Sequence, residues 1–453
     1  MKKYIIIKTI AIVLLTTFLA SCSKELDSLR PKDKIEQEQL TENDISLLRN
    51  GVYNNMEDVI YRFWWDFDVR GENFKAGPGF GLVDPMNMSP SSTDVTSMWQ
   101  TAFTKLNQVN FLIETIDHLG ENASASAKSI KGEMYYFRAL IYYNLVIRWG
   151  RVPIITQRTY DAIQRSNESE VWTQIISDLK TAQKLTGAFS SCYYISQPAI
   201  QALIAKVYLI NNLKDSTITY CQKIISSAKF AQVTDATSYA SMFIAGSTSK
   251  EIIFALANNT TTNKHLFYGN VNDVDATWDY SPETTLFSSL YSDKTMGKVT
   301  FVGDKRKTAV FSADASRLIK FPNGKTGQQL VSTSNADFTP IIVSRYSDIL
   351  LLLAEAQGAG NSAATTLVPY FSNRYTTPPS TVAIASLNST DFQDMILNER
   401  RREFYGEGQW WFDVKRTNRV DLFKSLAGRN YLLVYPIPQT EKDLAGYTQN
   451  PGY

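Results

Sequence analysis

The chain contains few of the residues that most enzyme and metal sites require. Of its 453 residues, two are histidines and three are cysteines. His118 and His265 lie far apart, and no HExxH motif or Cys/His cluster with zinc-ligand spacing is present. No P-loop, GxGxxG motif or GxSxG elbow occurs either. The sequence therefore gives no basis for a metal, a nucleotide cofactor or a catalytic triad.

The chain also lacks a large excess of either charge. It has 46 Lys and Arg against 44 Asp and Glu, a formal net charge of +2. Without residues 1–21, which hold three lysines and no acid, 43 basic and 44 acidic residues remain, a net charge of −1. A near-neutral body without runs of Lys or Arg is not typical of proteins that bind the nucleic-acid backbone, so we expect no nucleic acid as partner.

After the N-terminus, no apolar run approaches the length of a membrane span. The run at 4–20 ends in LASC at 19–22, which is a bacterial lipobox, and predicts a lipoprotein signal peptide over 1–21. A plain secretory signal or a transmembrane helix is the alternative, but the run is short and interrupted by Lys8. We predict lipidation of Cys22, and its acyl chains would anchor the mature protein permanently.

The two remaining cysteines form no disulfide framework. Cys192 and Cys221 could pair in an exported protein, but two isolated buried thiols are the interpretation that we favour.

Helical periodicity dominates the first half of the chain and returns near the C-terminus. We predict helices over 44–59, 96–119, 125–147, 168–185, 197–210, 216–227, 343–357 and 391–404. Consecutive helices form units of about 35–45 residues, the size of a tetratricopeptide (TPR)-like hairpin. We therefore expect a mainly α fold with one body over 22–453. It comprises a TPR-like helical half (about 40–230), a variable loop-rich region with short strands (about 250–340) and C-terminal helices with an extended tail (about 341–453).

Four segments carry a specific pattern in a fixed order. They are FRA at 137–139 with WGRVP at 149–153, RYSD with LLAEA over 345–356, NERRREF with EG and FDVKR over 398–416, and PIP at 436–438 with QNPGY at 449–453. Behind a lipobox, these segments resemble the SusD/RagB family of outer-membrane nutrient-binding lipoproteins, and the resemblance covers essentially the whole chain. The sequence departs from the family pattern at Trp410, where the family usually has arginine, and at 445–446.

The resemblance implies a SusD-like fold with TPR-like helix pairs as scaffold. It implies a lipid-anchored protein of the outer membrane that faces the cell exterior and binds a glycan or another nutrient. The partner would be a SusC-like TonB-dependent transporter, which the TPR-like helices would contact. We therefore expect capture and transfer of an oligosaccharide without cleavage, and with no cofactor or metal.

Exposed aromatic residues are the candidate ligand contacts, because a sugar ring can place its apolar C–H face on a tryptophan. By analogy with the family, ligand sites lie after the first helix and in the variable region. The first candidate group consists of Trp64, Trp65, Arg70, Asn73 and Phe74. The second consists of Phe267, Tyr268, Asp275, Trp278 and Tyr280. Core packing is the alternative role for each tryptophan of these groups. We expect packing for the tryptophans in helices and family segments, namely Trp99, Trp149, Trp172, Trp410 and Trp411.

Glu399, Glu403 and Glu407 recur at intervals of four, with arginines at 400–402. Two of them could act as acid and base in a glycosidase. Alternatively, i,i+4 ion pairs could stabilise a helix face that holds the C-terminal tail in place. Paired arginines lower carboxylate pKa values, whereas a general acid needs the opposite shift. Since the matching residues of the family are scaffold, we expect a structural role.

Three alternatives remain open from the sequence. The ligand could be a peptide or glycopeptide, since aromatic surfaces suit several ligands. The protein could be a surface glycoside hydrolase, for which the sequence gives no separate carboxylate pair. It could also be a TPR-like adaptor without a small ligand.

Overall fold

The computed structural model describes residues 40–78, 86, 88–159, 161–258, 267–272, 278–314, 316–322 and 338–453. The predicted signal peptide, the predicted lipidation site Cys22 and the candidate Asp275 lie outside the described residues. Among the helices that are described, none is long and apolar enough to cross a membrane.

Long helices form the N-terminal half, as their apolar periodicity predicts. They are α1 (Glu42–Arg70), α2 (Thr93–His118), α3 (Ala125–Trp149), α4 (Glu168–Leu185), α5 (Gln197–Ile210) and α6 (Lys214–Ser226). Helix α1 begins at a capping box between Thr41 and Asp44 and ends before Gly71. The prediction 44–59 ended this helix too early, since Phe63 and Phe67 continue its buried face.

Neighbouring helices pack in pairs, α1 with α2, α3 with α4, and α5 with α6. Gly132 lets α3 approach the end of α4 closely, because an added Cβ would lie 2.9 Å from the Leu185 Cβ. Helix α6 then packs against a later helix, α11 (Tyr346–Gln357), which pairs with α12 (Asn361–Arg374). The TPR-like series is thus continued by a pair that lies more than 100 residues further along the chain.

Besides these helices the structure has short strands and short helices, most of them between α6 and α11. Those before residue 290 are β1 (Phe74–Ala76), β2 (Val152–Pro153), β3 (Arg165–Ser166), α7 (Ala236–Ser241), β4 (Ile252–Leu256), α8 (Phe267–Val271), β5 (Tyr280–Pro282) and α9 (Thr284–Ser289). Those after it are β6 (Lys294–Met296), β7 (Val299–Asp304), α10 (Lys307–Val310), β8 (Ile341–Arg345) and β9 (Tyr375–Thr377). The strand pairs within the described residues are antiparallel, β1 with β5, β2 with β3, β4 with β8, and β7 with both β6 and β9.

The C-terminal region differs from its prediction in several places. Strand β8 occupies the start of the predicted helix 343–357, so α11 begins at Tyr346. Helix α12 was not predicted, since its Asn, Ser and Thr residues and Pro369 weaken the helical pattern. The tail contains helical turns at Asn430–Leu433 and at α16 (Gln439–Ala445), where an extended segment was predicted. The other helices here are α13 (Thr381–Ala385), α14 (Ser389–Glu403) and α15 (Trp410–Arg416).

The extended parts of the tail are held by the N-terminal half. The Trp149 indole N–H donates to the Pro436 carbonyl at 2.9 Å. The side chain of Asn450 donates to the Trp149 carbonyl at 3.1 Å and accepts from Arg165 at 2.6 Å. The terminal QNPGY segment therefore ties the tail to the end of α3 and to Arg165. Cys192 and Cys221 are buried and unpaired, as isolated thiols.

Candidate ligand-binding site

The extension of α1 places Trp64 and Trp65 inside a helix rather than after it. Trp64 faces inward, where its ring centroid lies 4.3 Å from that of Phe267 and 5.3 Å from that of Phe321. Its exposed fraction is 9%, and its indole N–H has no hydrogen-bond partner. Trp65 is partly exposed and lies beside strand β5. The two tryptophans thus divide between the core and the surface.

Trp65, Phe74 and Tyr280 form one aromatic group, which we call the aromatic platform. The ring centroids of Trp65 and Tyr280 lie 5.3 Å apart at an interplanar angle of 61°. Phe74 lies behind both, 5.4 Å from Trp65 and 6.4 Å from Tyr280, and is only 4% exposed. Trp65 and Tyr280 are partly exposed and therefore present apolar ring surface at the protein surface.

Backbone pairing fixes the two chain segments that carry the platform. Strand β1 pairs with β5 in a register that places Phe74 opposite Pro282 and Ala76 opposite Tyr280. Just beyond β1, Gly77 donates its N–H to the Asp279 carbonyl at 2.8 Å. A side chain at Gly77 would not fit, because its Cβ would lie 2.8 Å from the Asp279 carbonyl carbon. The platform therefore rests on a helix and a paired ribbon, which limits its movement.

Polar groups lie next to the platform, as a sugar or a peptide ligand requires. Partial burial raises the pKa of the Asp279 carboxyl, which is adjacent in sequence to Tyr280. Arg62, one turn before Trp65 in α1, donates to Ser97 of α2 at 3.1 Å and pairs with Asp58. The sequence prediction missed Arg62 and Asp279. Had α1 been extended, the spacing of 62 and 65 would have placed Arg62 near Trp65.

The other members of the first predicted group are buried. The Arg70 guanidinium donates to the Leu432 carbonyl at 3.0 Å and stacks on Trp411. Asn73 is 0% exposed, donates to Asp68 at 2.8 Å and accepts from Arg401 at 2.9 Å. Arg70, Asn73 and Phe74, like Trp64, thus pack in the interior and present no face to a ligand in this structure.

The second predicted group is also divided. Phe267 is 1% exposed and stacks edge-on against Tyr61. Trp278 is 8% exposed, and its indole N–H donates to the Ser281 hydroxyl at 2.9 Å. Both therefore pack, although Arg317 lies over the Trp278 ring. The side chain of Tyr268 and all of Asp275 lie outside the described residues. Of this group, the structure brings Tyr280 to Trp65.

The glutamates of α14 belong to a buried ion cluster. We define this cluster by its acidic residues Asp304, Glu251, Glu399, Glu403 and Glu407 and its basic residues Lys320, Arg306, Arg345, Arg374 and Arg402. Glu403 is 0% exposed and accepts from Arg306 at 2.6 Å and from Arg374 at 2.8 Å. Arg345 also pairs with Glu403 and reaches Glu407 at 2.8 Å.

This geometry corrects the expectation that i,i+4 ion pairs run along α14. Apart from the i,i+3 contact between Arg402 and Glu399, the glutamates pair with residues far away in sequence, because they face the interior and not an exposed helix side. Burial alone would raise the pKa of Glu403, but Arg374, Arg345 and Arg306 together hold it well below its ordinary value. A carboxylate held ionised is unsuited to act as a general acid. Over the described residues, no group of His, Cys, Asp and Glu could hold a metal ion.

The tryptophans expected in packing are buried. Trp99, Trp149, Trp172, Trp410 and Trp411 are between 0% and 8% exposed. Trp410, where the family usually has arginine, lies under the Arg401 guanidinium, which is 4.4 Å from its ring centroid. Its ring also packs closely against Gly71 at the end of α1. The Trp410 side chain therefore contributes packing and a cation–π contact at this position.

Comparison with known proteins agrees with this architecture. A family model described as "SusD family" matches residues 157–430, which is more than half of the chain. A second model, described as "Starch-binding associating with outer membrane", matches residues 30–209. The chain belongs to the SusD family. The predicted family and mainly α fold are thereby confirmed, and the family is one of binding proteins associated with the outer membrane.

Relatives of this SusD-family chain match it over nearly its whole length. SusD-like protein P38 of Formosa agariphila is 26% identical in an alignment that covers 93% of each chain. A SusD superfamily protein from Bacteroides thetaiotaomicron superposes with a TM-score of 0.73 at 23% identity, over 91% of this chain and 100% of the other. A laminarin-binding SusD-like protein superposes with a TM-score of 0.71 at 19% identity, over 91% and 100%.

Proposed function

We propose that this SusD-family protein captures an oligosaccharide at the cell surface and passes it, uncleaved, to a SusC-like TonB-dependent transporter. The aromatic platform carries the proposal, because its partly exposed rings of Trp65 and Tyr280 offer a stacking surface for a sugar. The laminarin-binding SusD-like protein, which has the same fold, supports a glycan ligand. Purification of the protein from detergent-solubilised outer membranes without a barrel partner would count against the transfer step.

Capture without cleavage fits the state of the carboxylates. Glu399, Glu403 and Glu407 are buried and paired with arginine or lysine, so a substrate cannot reach them. A glycosidase needs two carboxyl groups that flank the bond to be cleaved. Oligosaccharide that is recovered intact after long incubation with the protein agrees with this role, whereas cleavage products would favour the hydrolase. A peptide or glycopeptide ligand is the second candidate, because aromatic rings and Arg62 suit both.

Trp65→Ala should weaken glycan binding by about 30-fold. Stacking a sugar ring on Trp65 would cover roughly 80 Å² of apolar surface, worth about 2 kcal/mol. Calorimetry of the detergent-solubilised full-length protein against a broad glycan panel measures the effect. Tyr194→Ala is the matched control, since Tyr194 is an exposed aromatic residue that contacts Arg49 and Tyr53, away from the platform. Equal binding by wild type and Trp65→Ala would remove the platform from the ligand site, and silence across the panel would favour a peptide ligand.

Cys22→Ser should release the protein from the outer membrane. Lipid on Cys22 is the proposed anchor, and each buried methylene of an acyl chain contributes about 0.8 kcal/mol to membrane attachment. Fractionation followed by immunoblotting should move the variant from the membrane to the soluble fraction, while wild type stays in the membrane. Ser23→Ala is the control for a change near the cleavage site. Protease shaving of intact cells then tests whether the anchored protein faces the exterior.

A further inference from the structure

Two open grooves follow the outer side of helix α2. The first has a volume of about 370 Å³ and is lined by Thr93, Thr96, Ser97 and Gln100, among others. The second has a volume of about 420 Å³, and Gln100 is part of its lining as well. Gln100 lines both grooves, so they adjoin at this residue, and together we call them the α2 groove.

One end of the α2 groove lies beside the aromatic platform. Ser97 accepts a hydrogen bond from Arg62, which lies one turn before Trp65 in α1. Asp94, next to the lining residue Thr93, is close enough to Tyr280 for its charge to act on that phenol. A ligand that leaves the platform along α2 therefore enters the groove directly.

The other end of the α2 groove has an aromatic floor. Trp99, Phe103 and Tyr447 line it, and the ring centroid of Trp99 lies 4.9 Å from Phe103 and 6.4 Å from Tyr447. Phe103 is partly exposed, whereas Trp99 and Tyr447 are buried beneath the surface. Thr104 and Asn107 add polar groups at its rim. This end of the groove therefore combines a partly exposed ring with neutral polar groups.

Charge is almost absent from the lining of the α2 groove: of its 14 lining residues Glu441 is charged, and Asp94 and Arg62 lie beside its platform end. Over 96–108, seven of the eight polar side chains that are not buried are uncharged. The charged one is Lys105, which donates to Asn55 of α1 at 2.8 Å. Glu441 also lines the groove, and there it accepts a hydrogen bond from Gln100 at 3.1 Å. The exposed side of a helix ordinarily carries charged residues, so a neutral stretch of about 18 Å favours a neutral ligand.

A sugar chain fits the α2 groove better than a peptide does. Peptides commonly bind by adding a strand to a sheet edge or by inserting an apolar helix face into a hydrophobic groove. The α2 groove is walled by the side chains of a helix, whose backbone groups are already paired, and its rim is polar. Hydroxyl and amide groups such as those of Thr104 and Asn107 can both donate to and accept from sugar hydroxyls.

We propose that the ligand is an extended, neutral oligosaccharide that runs from the aromatic platform along the α2 groove to a distal subsite at Phe103, Thr104 and Asn107. The proposal rests on the proposed function, because the platform provides the first contact. It adds a selection for chain length. A disaccharide fills the platform alone, and longer chains gain the contacts of the groove.

Titration of the full-length protein with neutral oligosaccharides of increasing length tests this proposal. Disaccharides to octasaccharides derived from laminarin, starch, mannan and xylan serve as probes. We expect the affinity for the bound series to rise about tenfold or more with length. Phe103→Ala and Asn107→Lys should each remove most of that gain and leave disaccharide binding unchanged. Gln108→Lys is the matched control, because Gln108 is exposed on the same helix but does not line the groove.

The outcomes separate the groove from the platform. The platform and the groove are both supported if Trp65→Ala loses binding at every chain length and Asn107→Lys loses only the gain in affinity with length. Binding that depends on Trp65 but not on length overturns the groove and leaves the platform. Equal effects of Asn107→Lys and Gln108→Lys also overturn the groove. Binding of a neutral peptide library, with no oligosaccharide bound, overturns both.

Discussion

Glu403→Gln should lower the free energy of unfolding by about 3–5 kcal/mol, because it leaves buried arginines without their shared anion. The Glu403 carboxylate accepts hydrogen bonds from Arg306 and Arg374 and pairs with Arg345, and all four side chains are at most 2% exposed. An amide removes the negative charge and also points two N–H donors at guanidinium groups that are donors themselves. Urea unfolding followed by circular dichroism measures the loss.

Asp58→Asn is the matched control for this exchange of acid for amide. Asp58 pairs with Arg62 on the surface of α1, at an i,i+4 spacing, and such pairs contribute about 0.3–0.5 kcal/mol. If Glu403→Gln cost no more than the control, the buried ion cluster would not hold the C-terminal helices together. If Glu403→Gln does not accumulate, Arg374→Met is measured in its place. We expect a similar loss of unfolding free energy for that variant.

Acid should reduce the difference between wild type and Glu403→Gln. The pKa of Glu403 in the folded protein lies well below its ordinary value of 4.5, so folding favours the ionised form. The stability that this charge contributes is complete above pH 4.5 and is lost as the pH falls through the lower pKa of the folded state. The variant lacks this group and should lose less stability below pH 4.5. A constant difference between the two proteins at all pH values would contradict this assignment.

The helices could be predicted where their apolar faces are regular. Helix α4 and helix α5 match their predicted bounds, since Val171, Ile175 and Leu179 recur at four-residue spacing and proline follows the N-cap of α5. Helix α12 was missed because its sequence resembles a loop, whereas in the structure it packs against α11 and α13. A local sequence pattern does not show tertiary packing, and tertiary packing determines the conformation of segments with weak helix propensity.

The candidate site could be predicted in part, by region and by residue type. Trp65 and Tyr280 come from the two predicted groups, more than 200 residues apart, and meet because β1 pairs with β5. The sequence did not separate Trp64 from Trp65, since that requires knowing which side of α1 faces the core. The pairing of β1 with β5 also depends on positions that no local pattern fixes. The family resemblance indicated the two regions of the candidate site, whereas three-dimensional packing determines which of their rings are exposed.

Gly408→Ala should destabilise the fold by about 2–4 kcal/mol and weaken glycan binding as well. Gly408 has a φ of +67°, and an added Cβ would lie 2.8 Å from the Trp64 Cα and closer still to two other Trp64 atoms. A residue other than glycine costs about 1 kcal/mol at this φ, and an overpacked contact adds about 1–3 kcal/mol. The carbonyl oxygen and Cα of Trp64 belong to the α1 backbone, so no side-chain rotation relieves the overlap.

Gly446→Ala separates the two costs. Gly446 has a φ of +68° in the left-handed region but no atom within 4 Å of an added Cβ, so only the backbone cost applies there. Gly408→Ala must instead displace α1 at Trp64, which precedes the platform residue Trp65, or displace the Glu407 segment of the buried ion cluster. Either movement changes the position of a group on which binding or stability depends. We therefore expect Gly408→Ala, and not Gly446→Ala, to lower glycan affinity in calorimetry. Equal losses in the two variants would show that the contact with Trp64 does not determine the effect.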